Sequence, residues 1–167
     1  PAEALGSALQ ARDAVLVTAE SCTGGGIGQA VTACAGSSAW YVGGWVTYAD
    51  RLKVEHLGVP AELLDASGPG AVSAEVAEAM AWGARDRSGA TLAISVTGIA
   101  GPDGGSADKP VGTVWMALAD EEGTALRCIR VPGDRAQVRR GTVLAALQWA
   151  RWRTIGADTP MCWDVRS

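Results

Sequence analysis

The chain alternates short apolar runs with segments whose apolar residues recur three and four positions apart. Residues 2–12 place Leu5 and Leu9 on one face and predict a first helix. Residues 14–19 (AVLVTA) are apolar and β-branched, the pattern of a strand buried on both faces. The run breaks at Glu20-Ser21-Cys22-Thr23 and passes into Gly24-Gly25-Gly26-Ile27-Gly28, which predicts a glycine-rich helix ending at Gly36. Ser37-Ser38 marks a turn, and residues 39–48, rich in Trp, Tyr and Val, predict a second strand. Residues 50–57 predict a short helix stopped at Gly58, after which Pro60 opens another helical turn.

Ser73 suits an N-cap, and Val76, Met80 and Ala84 form an i, i+4, i+8 stripe on a helix ended by Gly89. Residues 91–97 (TLAISVT) predict a third strand, followed by a 98–110 loop with four glycines and two prolines. Residues 111–119 and 124–131 flank Asp120-Glu121-Glu122-Gly123 and predict an antiparallel hairpin. Asp134 caps a long last helix with Val138, Ala145, Trp149 and Trp152 on one face. There is no internal repeat or linker, so residues 1–153 read as one domain and 154–167 as a tail without a period. The alternation predicts an α/β protein, a three-layer α/β/α sandwich around a mixed, mostly parallel sheet. Ligands of such sheets bind beyond the C-terminal ends of the strands, so function is sought in the 20–26 and 98–105 loops.

Composition narrows the chemistry. With 14 basic and 18 acidic residues the net charge is −4, which argues against a nucleic-acid partner. Apolar residues at 48% and charged residues at 19% exclude disorder. No apolar run is long enough to span a membrane and the start lacks a signal-peptide pattern, so a cytoplasmic location is expected. One histidine, His56, and four scattered cysteines give no metal-ligand spacing, so no metal site is expected. The cysteines read as free thiols. The 22 glycines are about 13% of the chain, against a usual ~7%, and concentrate in the loops singled out above.

Ser21 lies between a strand and a glycine-rich helix, where a fan of backbone N–H groups would face its hydroxyl. That geometry suits a nucleophile whose oxyanion the same groups stabilise, but on local pattern alone Ser21 or Thr23 as a simple helix cap fits better. Both phosphate-loop templates fail, since Gln29 stands where the last Gly of GxGxxG would fall. No GxSxG elbow surrounds any serine and His56 is the one histidine, which leaves a Ser-His-Asp triad unsupported. Lysine is the alternative base, because a desolvated lysine can lose its proton and arginine cannot. Twelve of the 14 basic residues are Arg; the two lysines are Lys53 and Lys109. Lys53 is either a solvated helical lysine or a base at the site edge, and Lys109 either caps the glycine loop or takes its place. Arg135, Arg139 and Arg140 form a basic face at the start of the last helix, solvated or set to meet phosphate. Trp149 and Trp152 read as core, while Trp40 and Trp45 are core or stack on a ring.

In order along the chain stand TAESCTGG (18–25), AGSSAWY (35–41), VTYADRLK (46–53) and LGVP (57–60). GAVS (70–73), VTGIAGPDGG (96–105) and KPVGTVW (109–115) follow. Together they resemble the CinA C-terminal-domain family, the nicotinamide-nucleotide amidases, over roughly residues 2–152. The resemblance implies hydrolysis of nicotinamide mononucleotide to nicotinate mononucleotide and ammonia, with no cofactor, in pyridine nucleotide salvage. It implies a catalytic Ser21, a lysine base at Lys53 and a role for Tyr48. Substrate contacts are expected from Thr23, Gly24, Gly25, Gly36, Ser38, Gly98, Gly101, Arg139 and Arg140. The expected partners are a small-molecule nucleotide and a second copy of the chain in a homodimer, with no nucleic acid and no membrane. Two features depart from the family pattern: Tyr48-Ala49-Asp50 where Tyr-Ser-Asn is frequent, and the inserted Ser67-Gly68-Pro69. The N-terminal domain of longer members, which resembles molybdopterin-binding proteins, is not expected in this stretch. The rival readings are a non-catalytic nucleotide sensor linked to competence or DNA damage, and an enzyme acting on another small amide.

Overall fold

A computed structural model describes residues 1–157 and 159–165. Five strands form one sheet in the order β2-β1-β3-β4-β5. They are β1 (Leu16–Glu20), β2 (Tyr41–Val46), β3 (Leu92–Gly98), β4 (Thr113–Asp120) and β5 (Gly123–Arg130). Strand β1 pairs in parallel with β2 and β3, while β4 runs antiparallel to both β3 and β5. The expected three-layer α/β/α sandwich with a mixed sheet is therefore present. Four strands share one direction, and the hairpin of 111–131 supplies the antiparallel half.

Helices α1 (Ala2–Gln10), α2 (Gly26–Thr32) and α5 (Arg135–Thr154) cover one face, and α3 (Asp50–Leu57) and α4 (Ala74–Ser88) the other. Each layer has its own apolar core. Leu5, Leu9, Ile27 and Trp149 pack on Leu16, Ile94 and Met116, while Leu57, Met80 and Ala84 pack on Val17, Ala93 and Ala117. All of β1 is buried, as its unbroken apolar run requires. Ser73 caps α4 by accepting from the Val76 N–H, and Gly89 closes it in the left-handed region. Asp134 and Gln137 form a reciprocal capping box at the start of α5.

Three expectations shift. The glycine-rich helix is shorter than 24–36, because Gly24 and Gly25 have positive φ and belong to the turn before it. Trp40 is core and Trp45 packs against the α4 layer, so neither is an exposed stacking ring. The tail has structure: past α5, Asp164 bridges Ile129 antiparallel and the Trp163 carbonyl accepts from the Arg130 N–H, so this segment lies along the outer edge of β5. Residues 158, 166 and 167 of that tail lie outside the described ones. All four cysteines are free thiols. Among the described residues, no helix is long and apolar enough to cross a membrane.

Candidate active site

Strand β1 lies between β2 and β3, so the chain leaves it in one direction first and the other later. The crevice beyond the C-terminal ends of β1 and β3 is the switch point where such sheets bind ligands. A cavity of about 200 Å³ opens there. Its lining brings together Ser21 from the end of β1, Tyr48 and Asp50 after β2, Lys53 of α3, Thr97 and Gly98 of β3, and Arg135 of α5.

Ser21 is held by the turn around it. Its N–H donates to the Val96 carbonyl, and its carbonyl accepts from the Gly24 N–H. Neither Ser21 nor Thr23 caps α2. Glu20, fully buried, takes that place from the preceding strand: its carboxylate accepts from the Ile27 N–H (2.9 Å), the Gly28 N–H (2.8 Å) and the Thr23 hydroxyl (2.6 Å). The first free donors of α2 therefore face Glu20 rather than Ser21, which corrects the expected N–H fan. A carboxylate at a helix N-terminus is favoured by hydrogen bonding and by the dipole together.

Lys53 is the largest of the fully buried side chains in the protein. This excludes the solvated-lysine reading. Its Nζ donates to Asp50 Oδ1 at 2.8 Å and to the Tyr48 carbonyl at 3.3 Å. A buried ammonium without partners would cost several kcal/mol, and Asp50 and the Tyr48 carbonyl supply those partners. Cys22 also lines the cavity, but burial pushes its thiol up to about 12. It remains a thiol at neutral pH.

Arg135 spans the cavity mouth, donating to the Tyr48 hydroxyl (3.0 Å) and the Gly101 carbonyl (2.9 Å). One turn further along α5, Arg139 donates to the Thr23 carbonyl at 2.8 Å, beside Gly24. Arg135 and Lys53 outnumber Asp50 among the residues lining the cavity, so it favours an anion. Sequence reasoning grouped the three arginines and expected substrate contacts from Arg139 and Arg140, whereas Arg135 is the one that lines the cavity. Spacing of four puts 135 and 139 on one helix face and turns exposed Arg140 away from it.

Of the remaining expected contacts, Thr23 is buried and bonded to Glu20, and Gly25 abuts Val46 of β2, so both belong to the scaffold behind the cavity. Gly36 and Ser38 precede β2 and lie at the opposite end of that strand, so this chain does not bring them to the cavity. His56 is exposed in the last turn of α3, outside the cavity lining. Lys109 Nζ donates to the Pro69 carbonyl at 2.7 Å, tying the glycine loop to the inserted 67–69 segment. Among the described residues no cluster of His, Cys, Asp and Glu could hold a metal ion.

A CinA-like protein of Geotalea daltonii is 59% identical over 138 residues, covering 83% of this chain and 33% of that protein. The chain thus spans about one third of the length of such relatives. A Pseudomonas putida protein named nicotinamide-nucleotide amidohydrolase PncC is 52% identical over 143 residues, 86% of this chain and 88% of that one. The crystal structure of a competence-damaged protein (CinA) superfamily protein from Klebsiella pneumoniae 700603 superposes with a TM-score of 0.87. It is 36% identical and covers 93% of this chain and 96% of its own. The family model described as the CinA C-terminal domain matches residues 1–153. The chain belongs to the CinA C-terminal domain family.

Proposed function

We propose that the protein is a nicotinamide-nucleotide amidohydrolase that releases ammonia from nicotinamide mononucleotide through Ser21 and Lys53. The observation that carries this reading is the cavity where Ser21 and a fully buried lysine meet, in a chain about half identical to a protein named for that activity. Ser21 Oγ attacks the carboxamide carbon while neutral Lys53 takes the hydroxyl proton. The oxyanion falls to the N–H groups of the turn from Cys22 to Gly25, since those of Ile27 and Gly28 are taken by Glu20. Lys53 returns the proton to the departing ammonia. Water then attacks the acyl-enzyme with Lys53 again as base, and Ser21 recovers its proton.

A cavity of about 200 Å³ is small beside the 300–1,000 Å³ typical of ligand sites. The amide end of the nucleotide enters it, and the phosphate stays at the rim with Arg135 and Arg139. Tyr48, fixed by Arg135, closes the side between amide and phosphate. Ser21→Ala tests the scheme. It should abolish ammonia release while leaving nucleotide binding and the unfolding temperature nearly unchanged, since only a hydroxyl is lost. Wild-type turnover by Ser21→Ala would end the acyl-enzyme reading. A wild-type protein that binds the nucleotide and releases nothing is a sensor.

A further inference from the structure

Glu20 and Ser21, at the end of β1, point to opposite faces of the sheet: the carboxylate toward α2, the hydroxyl into the cavity. Their backbone is held from both sides. The Glu20 carbonyl accepts from the Thr47 N–H at 2.9 Å, and the Ser21 N–H donates to the Val96 carbonyl at 3.0 Å. The 21–25 turn that follows lies beyond this ladder, and its last two residues, Gly24 and Gly25, are left-handed glycines of wide conformational freedom. Buried Thr23 is what holds it. Its hydroxyl donates to Glu20 Oε2 at 2.6 Å, and its carbonyl accepts from Arg139 at 2.8 Å and from the Gly26 N–H at 3.3 Å. Capping α2 engages only the Ile27 and Gly28 N–H groups, whereas the Thr23 bond ties the same carboxylate to the turn.

We propose that Glu20 is a positioning residue for the amidase reaction: through the Thr23 hydroxyl it holds the 21–25 turn in the conformation that stabilises the oxyanion. The inference rests on the Ser21–Lys53 reading. An oxyanion forms only as Ser21 attacks, so donors already in place act on the transition state and little on the bound amide. Donors on a loosened turn must be ordered in every cycle, and a displacement of about 1 Å can cost on the order of 100-fold in rate. The negative charge of Glu20, which would oppose an oxyanion, is taken up by its three donors on the α2 side of the strand.

Thr23→Val keeps the branched shape and removes the bond, while Thr23→Ser keeps the hydroxyl. In Thr23→Val the kcat for nicotinamide mononucleotide should fall about tenfold or more with KM within about twofold, and Thr23→Ser should stay within about threefold of wild type. Glu20→Gln, assayed below its unfolding transition, should lose kcat in the same way. Adding Thr23→Val to Glu20→Gln should lower kcat by no more than about twofold further, because both changes break one link. Wild-type kcat in Thr23→Val, an equal loss in Thr23→Ser, or losses that multiply in the double variant overturn the assignment. Ser21→Ala separates the two levels. If Ser21→Ala is inactive and Thr23→Val fully active, only the role of Glu20 falls; if Ser21→Ala is itself active, the acyl-enzyme reading falls and this one with it.

Discussion

Two cavities open at opposite ends of one sheet, and the larger is not the one that Ser21 and Lys53 line. The cavity beyond β1 and β3 measures about 200 Å³, the one at the other end about 520 Å³. The larger is lined by Arg12, Arg85, Arg153, Asp120, Glu121 and Glu122. Its charges are largely spoken for. Arg153 grips Asp120 through two hydrogen bonds of 2.6 and 2.9 Å and reaches Glu122 at 3.0 Å, while Arg85 lies over the Trp82 ring. That cluster braces the end of α5 against the β4–β5 hairpin. In the smaller cavity a buried cation leans on a half-exposed carboxylate beside a serine. Unequal burial of the two partners, rather than volume or charge count, sets the smaller cavity apart.

The sharpest way to break this contrast is at the lysines. Lys53→Met, which keeps the volume of the stem, and Lys53→Arg, which keeps the charge, should each lose about 100-fold or more in ammonia release. Lys109→Arg should stay within about twofold, since an arginine can still donate to the Pro69 carbonyl. The reverse pattern would move the base to the glycine loop. Glu20 gives the next effect. Glu20→Gln turns an amide donor toward two N–H groups and a hydroxyl, and should cost about 2–3 kcal/mol in urea unfolding. Unchanged stability would show that Ile27 and Gly28 have another acceptor.

Asp120→Asn should cost only about 1 kcal/mol and leave turnover intact, which would confirm that the larger cavity is a brace. The hydrogen bond from Arg153 holds the Asp120 carboxyl below the usual carboxylate range. Its contribution is therefore complete above the unfolded value, near ~3.9, and is lost as pH falls through the lower folded value. In Asp120→Asn that part of the acid destabilisation should vanish. The smallest effect is none: EDTA should leave the rate unchanged, and a loss restored by zinc or magnesium would put a metal into the smaller cavity.

Much of the frame was legible because its signals are local. The 50–57 helix with Gly58 behind it, the Ser73 cap and the Gly89 stop are set by residues within a turn of each other. The family blocks likewise placed Ser21 and Lys53. What escaped was set by distant partners. Nothing in the neighbourhood of Lys53 distinguishes a solvated ammonium from a buried one, because α3 meets its packing partner α4 only in the folded chain. Glu20 looked like the end of a strand, yet its carboxylate acts on a helix six residues later. Gly36 and Ser38 stand in a family block, but the six-residue strand β2 separates their end of the sheet from the cavity. Arg135 and Arg140 differ only in which side of α5 they occupy.

Residues 159–165 also decide how the molecule behaves in a crowded solution. Along β5 the Arg130 N–H is bonded to the Trp163 carbonyl, and the Cys128 carbonyl accepts from the Val165 N–H. Those two groups are thereby withdrawn from any passing strand. A chain ended after residue 157 would present them unpaired, together with the flank of Met161 and Trp163 packing that now shields the core. Such an edge is a template for sheet-to-sheet growth. The shortened protein should keep its fold and its cavity but tend to precipitate, so trimming this segment would trade colloidal stability for a neater boundary.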